Sequence, residues 1–338
     1  MPETGAEACA KLLRQKGINR VYCFPGGTIS PLLDAISREG IQVVVARNEA
    51  GAGHMAQGAY RVSGKPQVVL VTSGPGVTNA ATPVADAYFD SDAVVFLTGQ
   101  VSTDQMKPPD VHVRQAGFQE TDTTAIMDPI SKAAFVVGTA DELVAGIDDA
   151  LHIATARRPG PVVVDCPMDA QRGQMQGRHS PGQTSYQMIP NPLEWAVKVD
   201  DDMAVKSAIV AAKSPVIVAG RGCLPHAEKL REFAQLWHVM VVHSLPACGA
   251  VATGSPIDGG MLGHTGHEKA NKLVADADVV IALGTRLDIR QTGTEVDWWS
   301  EKTIVRVDFD HDELFYARVK PTFQYHEDVG DWLERMVK

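Results

Sequence analysis

The chain has 338 residues, which exceeds the usual size of one domain and predicts two. It has 44% hydrophobic residues and a net charge of -10, a composition typical of soluble globular proteins that argues against a nucleic-acid partner. No apolar run approaches the roughly 18 residues of a membrane span, and the N-terminus lacks a signal-peptide pattern, so we expect a cytoplasmic protein. Five scattered cysteines without a Cys-x-x-Cys pair argue against a disulfide framework or a structural zinc site.

The first half of the chain alternates short Val-rich runs with helical segments. Continuous apolar runs of this length are typical of buried parallel strands, whose two faces are both covered. We therefore predict about six β-α units in a doubly wound parallel sheet, followed by a second doubly wound α/β domain. The predicted strands of the first domain are 21–24, 43–45, 68–71, 93–97, 135–137 and 161–165. Residues 99–128 form a long polar segment, and a loop of that length in a compact domain is usually functional.

The composition changes at residue 168. Residues 168–198 are polar, rich in Gly, Gln, Pro and Ser, and predict a linker between a first domain of residues 1–167 and a second of residues 199–338. The second domain has predicted helices at 205–213 and 226–237 and predicted strands at 215–219, 239–242, 278–283 and 303–307.

Polar residues stand where two strands of the first domain end. Glu49 follows the second strand and precedes a run of alanines and glycines, and residues 72–76 follow the third. Ligands of open α/β sheets bind beyond the carboxyl ends of the strands. A carboxyl group among such small residues has space beside it for a flat heterocycle, with which it can share a proton. From the residues alone, Glu49 is equally well explained as a helix N-terminal glutamate, and residues 73–76 as a tight turn.

Several long motifs indicate a family. Residues 24–36, 46–80, 86–101, 117–122 and 157–169 include FPGGTISPLLDAI, ARNEAGAGHMAQGAYRVSGKPQVVLVTSGPGVTNA and GFQETD. Through them the first domain resembles the pyrimidine-binding domain of thiamine-diphosphate enzymes, and most closely that of acetolactate synthases. The second domain resembles the central domain of the same enzymes through GGMLGHTGHEKAN, ADVVIALGTRLDIRQTG and VRVDFD.

The resemblance implies roles for the residues at the strand ends. Glu49 would hydrogen-bond the aminopyrimidine ring of thiamine diphosphate, and the activated cofactor would decarboxylate a 2-oxo acid such as pyruvate and pass the product to an acceptor. Gln119 and Gly27 would join Glu49 as catalytic residues. The positions that would line this cofactor are Pro25, Gly26, Thr72, Pro75, Gly76, Asn79 and Phe118.

In the second domain the resemblance implies FAD, since residues 286–290 match an Arg-x-Asp-x-Arg pattern of flavin-binding members. The matching positions are Gly263, His264, Thr265, Gly284, Arg286, Asp288, Arg290, Asp308 and Asp328. Arginines beside a pyrophosphate and a carboxylate on a ribose hydroxyl are sensible pairings. The alternatives are that ADP or no ligand occupies this domain, and that Arg286, Asp288 and Arg290 form a surface ion-pair cluster. We assign no metal site to this chain.

Two residues depart from the resemblance: Asn48 replaces the usual histidine and Thr28 a common alanine. Residues 102–115 are also longer and more charged than expected, which leaves the acceptor open. The 338 residues contain no Gly-Asp-Gly followed by Asn-Asn, the family's Mg²⁺ and diphosphate motif. We therefore expect a split enzyme whose partner chain carries that domain and its Mg²⁺, with a homodimer of this chain inside a heterotetramer. The alternatives are a truncated piece, a simple decarboxylase half, or a non-catalytic flavin- or nucleotide-binding regulatory or scaffold subunit.

Overall fold

The computed structural model describes residues 2–108, 110–177 and 201–338. The chain divides into two compact units, with the division between Pro192 and Leu193. Most of the predicted linker, residues 178–200, lies outside the described residues, so the predicted domain limits stay a prediction. No helix in the described part of the chain is both long and apolar enough to cross a membrane.

The first unit contains a parallel sheet of six strands in the order β2-β1-β3-β4-β6-β5, which confirms the predicted architecture. Strands β1 to β6 span Arg20–Cys23, Gln42–Val45, Gln67–Val71, Val94–Gln100, Ala133–Val136 and Val162–Pro167. Helices α1 to α7 span Gly5–Gln15, Ser30–Arg38, Glu49–Ser63, Pro75–Asp90, Thr123–Met127, Ala140–Thr155 and Met168–Arg172.

The continuous apolar runs are explained by helices on both faces of this sheet. Along β3, Val68 and Leu70 belong to one buried cluster, and Val69 and Val71 belong to another. Successive strand residues point to opposite faces, so a strand covered on both sides is apolar at every position.

The structure is more regular than expected in two places. Strand β4 continues past the predicted residue 97 to Gln100, because Thr98 and Gln100 are buried with hydrogen-bond partners. Residues 168–172, inside the predicted linker, form α7. The side chain of Gln171 in α7 is fully buried and donates to the carbonyls of Thr28 and Cys166, at 2.7 Å each, so α7 packs against the first unit.

The second unit contains a separate parallel sheet of six strands in the order β12-β11-β10-β7-β8-β9. Strands β7 to β12 span Pro215–Ala219, Met240–His243, Asp258–Met261, Val279–Leu283, Thr303–Asp308 and Phe323–His326. Helices α8 to α13 span Asp202–Ala211, Ala227–Leu236, Glu268–Asp276, Ile289–Thr292, His311–Phe315 and Val329–Val337. Read from β9, the order is the 3-2-1-4-5-6 of dinucleotide-binding folds, which confirms a doubly wound second domain. The sequence prediction lacked β9 and β12, because neither strand has a Val-rich run.

Each sheet has a point where the direction of strand addition reverses, between β1 and β3 in the first unit and between β7 and β10 in the second. Ligands of doubly wound sheets bind at such points, beyond the carboxyl ends of the strands. Residues 25–28 and 72–79 follow the strands that border the first point, and residues 284–290 follow one that borders the second, whereas Glu49 follows β2, the neighbour of β1.

Candidate active site and nucleotide site

Glu49 lies at the beginning of α3, directly after strand β2. Its side chain is buried, with 5% of its surface exposed. The preceding Asn48 is the N-cap of α3, and its side chain accepts a 2.6 Å hydrogen bond from the backbone N–H of Gly51. Asparagine is among the best N-cap residues, so this departure from the family pattern fixes the start of the helix that carries Glu49.

Asn79 is the polar partner of Glu49. Its side-chain amide donates a 3.0 Å hydrogen bond to Oε2 of Glu49, across 30 residues of sequence. Asn79 lies in α4, which starts after β3, so two neighbouring helices bring the pair together at one edge of the sheet. An amide donor stabilises a carboxylate and also fixes its orientation. The macrodipole explanation accounts for the position of Glu49 in the first turn, but not for this second, fixed partner.

Two glycines allow the backbone to pack closely against Thr72 near Glu49. A Cβ atom on Gly26 would lie 2.3 Å from the Cβ of Thr72. A Cβ on Gly76 would lie 2.9 Å from Cγ2 of Thr72 and 3.5 Å from Oε1 of Glu49. The backbone of the loop after β1 therefore lies directly against the Thr72 side chain in the loop after β3. The surface of these two loops beside the carboxylate would accept a flat ring.

Thr28 connects these two loops. Its Oγ1 lies 2.8 Å from Oγ1 of Thr72 and accepts a 3.0 Å hydrogen bond from the backbone N–H of Ser73. An alanine at this position could make neither bond. The second departure from the family pattern therefore adds a polar bridge across the point where the sheet reverses direction.

Gln119 reaches the same edge from the long loop after β4. Its backbone has φ of 57°, which is unusual for a residue other than glycine. Its N–H donates to Oε1 of Gln115 at 3.1 Å, and its carbonyl oxygen would lie 2.6 Å from a Cβ on Gly74. The neighbouring Phe118 is 77% exposed. The loop after β4 thus packs through Gln119 against the Gly74 turn, and the ring of Phe118 is exposed.

The structure brings most of the residues predicted to bind thiamine diphosphate to one edge of the first sheet. Some of them are in direct contact with one another, and others are not. Glu49 with Asn79, Gly26 and Gly76 with Thr72, and the backbone of Gln119 with the Gly74 turn are in direct contact. Pro25, Gly27 and Pro75 are exposed in the same loops. No hydrogen bond joins the described side chains of Glu49 and Gln119.

Sequence reasoning missed the polar residues beneath this site. Gln171 holds the backbone of Thr28, and Thr98, Gln100 and Asp165 form a buried network between β4 and β6. Polar residues inside or at the end of otherwise Val-rich strands were the available signal, since buried polar groups require partners.

The buried cysteines are unsuited to nucleophilic chemistry, whereas Cys248 is exposed, with its Sγ 3.8 Å from Nδ1 of His243. Four are buried and free, and burial raises the pKa of the Cys223 thiol to about 12 and raises that of Cys23. A thiol in that state does not form the reactive thiolate.

In the second unit, glycines line the point where that sheet reverses. A Cβ on Gly220, after β7, would lie 1.9 Å from the carbonyl oxygen of Gly284, after β10. Gly284 itself has φ of 53°, and a Cβ there would lie 2.7 Å from the Cα of Gly222. Gly220 is buried at this contact and Gly222 is exposed, so the loops present backbone at their outer side, which suits an elongated polar ligand such as a nucleotide.

Two of the flavin motifs meet at this edge. Gly263, with φ of 115°, is packed so that a Cβ would lie 2.4 Å from the carbonyl oxygen of Arg290. The N–H of His264 donates to the same carbonyl at 2.8 Å. The side chain of Asn271 fixes the loop by accepting from the N–H of Gly263 and donating to its carbonyl. His264 and Thr265 are exposed at its tip.

Asp288 and Arg286 have separate partners and do not form one ion-pair cluster with Arg290. Asp288 caps α11 by accepting from the N–H groups of Arg290 and Gln291, at 2.9 and 3.2 Å. Arg286 pairs with Glu313 at 2.7 Å. The Arg290 side chain is exposed and makes no ion pair with another described residue, so it can receive an anionic ligand.

The two acidic positions at the ends of β11 and β12 also have local partners. Asp308 accepts a 2.9 Å hydrogen bond from the N–H of Asp310. Asp328 caps α13 through Gly330 and lies 3.0 Å from Nε2 of His226. Among the described residues, no group of three His, Cys, Asp or Glu side chains has the arrangement of a metal site.

Comparison with known proteins places these sites in a family context. Residues 3–126 match the model described as "Thiamine pyrophosphate enzyme, N-terminal TPP binding domain", and residues 203–336 match "Thiamine pyrophosphate enzyme, central domain". Thiamine pyrophosphate is another name for thiamine diphosphate.

Relatives over the whole chain carry a more specific name. The acetolactate synthase isozyme 1 large subunit of Escherichia coli K12 is 36% identical over 336 residues, which are 99% of this chain and 57% of that protein. The acetolactate synthase large subunit of Lactococcus lactis is 32% identical over 357 aligned residues, 100% of this chain and 60% of that protein. The mitochondrial acetolactate synthase catalytic subunit of Saccharomyces cerevisiae is 36% identical over 86% of this chain and 42% of its own. The chain therefore spans about half the length of these relatives.

Proposed function

The chain belongs to the thiamine pyrophosphate enzyme family, and from that premise we propose that it is a catalytic component of an acetolactate synthase-like enzyme. Its reaction would be the decarboxylation of a 2-oxo acid of the pyruvate type and transfer of the remaining acyl unit to an acceptor. Support comes from the acetolactate synthase names of relatives that match nearly the whole chain.

The observation that carries the proposal is the buried Glu49 carboxylate, held by Asn79 beside a glycine-lined surface. The cofactor, when bound, supplies the carbanion and the electron sink for decarboxylation. Glu49 would hold a proton at a ring nitrogen of the aminopyrimidine, and Asn79 would keep the carboxylate oriented toward it. The glycine-lined surface formed by Gly26, Thr72 and Gly76 would receive the ring, because the two glycines let the loops after β1 and β3 pack closely beside Glu49, where a Cβ at either one would collide with Thr72.

Replacement of Glu49 tests this role. The Glu49→Gln variant keeps the shape of the side chain but cannot exchange a proton, so we expect a loss of turnover of about two to four orders of magnitude with unchanged folding. Glu39, the half-buried C-cap residue of α2, offers the matched control Glu39→Gln. Turnover of Glu49→Gln close to that of the control would reject the assignment.

For the second unit we propose FAD as the ligand. Exposed Arg290 would meet the pyrophosphate and the glycine loops after β7 and β10 would lie along it. The exposed His264–Thr265 tip, fixed by Asn271, would contact the flavin side. The order of strands in this sheet is that of dinucleotide-binding folds, which supports a dinucleotide over an empty site.

We also propose that the diphosphate of the thiamine cofactor and its Mg²⁺ are bound by a domain outside these 338 residues, on a partner chain, and that this chain pairs with a second copy inside that assembly. The surface around Pro25, Glu49, Pro75 and Gln119 would then be an interface. A cofactor held between two chains stabilises their complex by mass action.

Reconstitution tests the partner. The purified chain alone should bind thiamine diphosphate weakly and lack 2-oxo acid decarboxylase activity. Addition of a chain that carries the diphosphate-binding domain, with Mg²⁺, should restore both binding and turnover. Decarboxylation by this chain alone would contradict the proposal.

A further inference from the structure

A buried polar network lies directly beneath the loop that carries Phe118 and Gln119. At its centre is Asp165, at the end of β6, with 2% of its surface exposed. Thr98 Oγ1 donates to Oδ1 of Asp165 at 2.6 Å, and Gln100 Nε2 donates to Oδ2 at 2.9 Å. The hydroxyl of Thr123, the first residue of α5, is a third donor to the same carboxyl group. Three elements, β4, β6 and the start of α5, thus converge on one side chain.

Gln100 connects this network to the loop. The same Nε2 that bonds Asp165 also donates to the backbone carbonyl of Thr121 at 3.0 Å, and Oε1 of Gln100 accepts from the N–H of Val101 at 2.9 Å. Thr121 is two residues after Gln119. The Gln100 amide therefore holds both the first residue of the long loop and its last turn. Its bonds to Asp165 and Val101 are buried, and its bond to Thr121 is partly buried.

The loop needs such an anchor because Gln119 is strained. A glutamine with φ of 57° keeps that conformation only when its surroundings fix it. The buried Gly74 turn supports Gln119 on one side, and the exposed Gln115 supports its N–H. Glu120 draws the loop together by accepting from the N–H groups of Lys107 and Ala116, both at 2.8 Å. Gln100 supplies the buried attachment.

We propose that Asp165 is a positioning residue for the active-site loop, acting through Gln100 to hold the backbone at Thr121 and so the strained conformation of Gln119. This inference rests on the proposed function, in which Gln119 reaches the reaction centre. Asp165 itself touches neither the glycine-lined surface nor Glu49.

The network tolerates both protonation states of Asp165. Burial raises the pKa of this carboxyl to about 7, and the nearby carboxylate of Asp122 adds to the effect, while the hydrogen bonds from Thr98, Gln100 and Thr123 oppose it. The other titratable neighbour is Cys166, whose own pKa is raised by burial. A proton on Oδ1 can be donated to the Thr98 hydroxyl, which then donates to the carbonyl of Val164, 3.3 Å away. Oδ2 remains an acceptor for Gln100 in either state.

Because either protonation state of Asp165 accepts from Gln100, two substitutions can separate the loss of the acceptor from the loss of the charge. Asparagine at 165 can present its oxygen to Gln100 and its NH₂ group to Thr98, so Asp165→Asn preserves the anchor. Leucine has a similar shape but no acceptor, so Asp165→Leu leaves Nε2 of Gln100 with the carbonyl of Thr121 alone and removes the short hydrogen bond of the Thr98 hydroxyl. Gln100→Met breaks the same attachment from the other end, and it covers the case in which Asp165→Leu fails to fold.

The experiment measures amide hydrogen exchange in the whole chain and turnover in the reconstituted enzyme. In Gln100→Met and Asp165→Leu we expect amides 119–123 to exchange about tenfold faster, with β4 and β6 unchanged, and kcat to fall about tenfold at unchanged FAD binding. Asp165→Asn should restore the wild-type exchange pattern. Asp141→Asn is the matched control, because the Asp141 carboxylate also accepts from two loop N–H groups, those of Gln176 and Gly177.

Three results would overturn the inference: uniform acceleration across the first unit, no acceleration at 119–123, or a full kcat in Gln100→Met when Gln119→Ala lowers it. If amides 119–123 respond as expected but Gln119→Ala leaves turnover intact, the attachment is supported and it is the catalytic assignment of Gln119 that fails.

Discussion

Gly53 packs directly against Pro83, so that a Cβ atom on Gly53 would lie 2.4 Å from the Cβ of Pro83. The contact lies one helical turn beyond the hydrogen bond between Glu49 and Asn79 on both α3 and α4. The distance between these helices, which sets the geometry of the Glu49–Asn79 hydrogen bond, therefore depends on the absence of a side chain at residue 53.

This contact predicts that Gly53→Ala destabilises the protein, although alanine favours helices over glycine by about 1 kcal/mol. The added methyl group must push α3 and α4 apart, and overpacking of a buried contact costs roughly 1–3 kcal/mol. Gly58 provides the control, since it lies in the same helix and a Cβ there has no atom within 4 Å. Urea unfolding should show Gly58→Ala at least as stable as the wild type and Gly53→Ala less stable. Equal stabilisation of both variants would contradict the packing argument.

The Thr28 bridge predicts a difference between serine and valine at that position. Thr28→Ser keeps the hydroxyl that bonds Thr72 and Ser73, whereas Thr28→Val keeps the volume but leaves the N–H of Ser73 without its acceptor. We expect Thr28→Val to weaken thiamine diphosphate binding in the reconstituted enzyme by about five- to tenfold, on the scale of one buried hydrogen bond. Calorimetric titration measures it. Binding by the valine variant equal to that of the serine variant would show that the bridge does not shape the site.

Because Arg290 is exposed and has no ion pair with another described residue, we predict that its replacement weakens FAD binding. Purified protein should be yellow or should bind FAD on titration, and Arg290→Ala should weaken that binding about tenfold, because a charge-assisted bond to the pyrophosphate is lost. Arg286→Ala should weaken it as well, but it also breaks the pair with Glu313, so Arg290 is the cleaner test. Asp288→Ala should weaken it through loss of the α11 cap.

The exposed Lys272, paired only with Asp276 in its own helix, gives the control Lys272→Ala for the flavin experiment. Fluorescence quenching of FAD measures all four variants. If the purified protein is colourless, does not bind FAD and binds ADP, the second unit is an adenine-nucleotide site and the flavin proposal is wrong.

The buried Asp165 predicts how stability depends on pH. Its pKa is about 7 in the folded protein and near the ordinary 3.8 in the unfolded chain. Between these values the folded state retains a proton that the unfolded state releases, so the contribution of Asp165 to stability is full below about pH 4 and is lost as the pH rises to about 7. Asp165→Asn removes this contribution to the slope.

The measurement compares unfolding free energies of wild type and Asp165→Asn between pH 5 and 8. Because every other titrating group is shared, the difference between the two curves isolates Asp165, and wild type should lose stability relative to the variant as the pH rises. Parallel curves would show that Asp165 has the same pKa in both states. The Asp141→Asn variant serves as the control here too.

Much of the fold followed from pattern alone. The Val-rich runs predicted ten of the strands near their observed positions, since a strand buried on both faces must be apolar throughout. Strands β9 and β12 were not predicted, because a segment such as Asp258–Met261, with two glycines, forms a strand only when a neighbouring strand supplies its hydrogen-bond partners. The end of β4 was not predicted, because Thr98 and Gln100 are polar and only the tertiary structure places Asp165 beside them.

The sequence by itself determined the two α/β domains, their family and the strand ends at which Glu49 and the Arg286–Arg290 motif lie, because these depend on local periodicity and on residue order. The tertiary structure decided which residues act on one another. It joined Glu49 to Asn79, Thr28 to Thr72, and Asp165 through Gln100 to Thr121, and it paired Arg286 with Glu313 but Arg290 with no acidic side chain in the described part of the chain. Such contacts join positions that are 21 to 67 residues apart, and they depend on how helices and loops pack over the sheet, which no local pattern encodes.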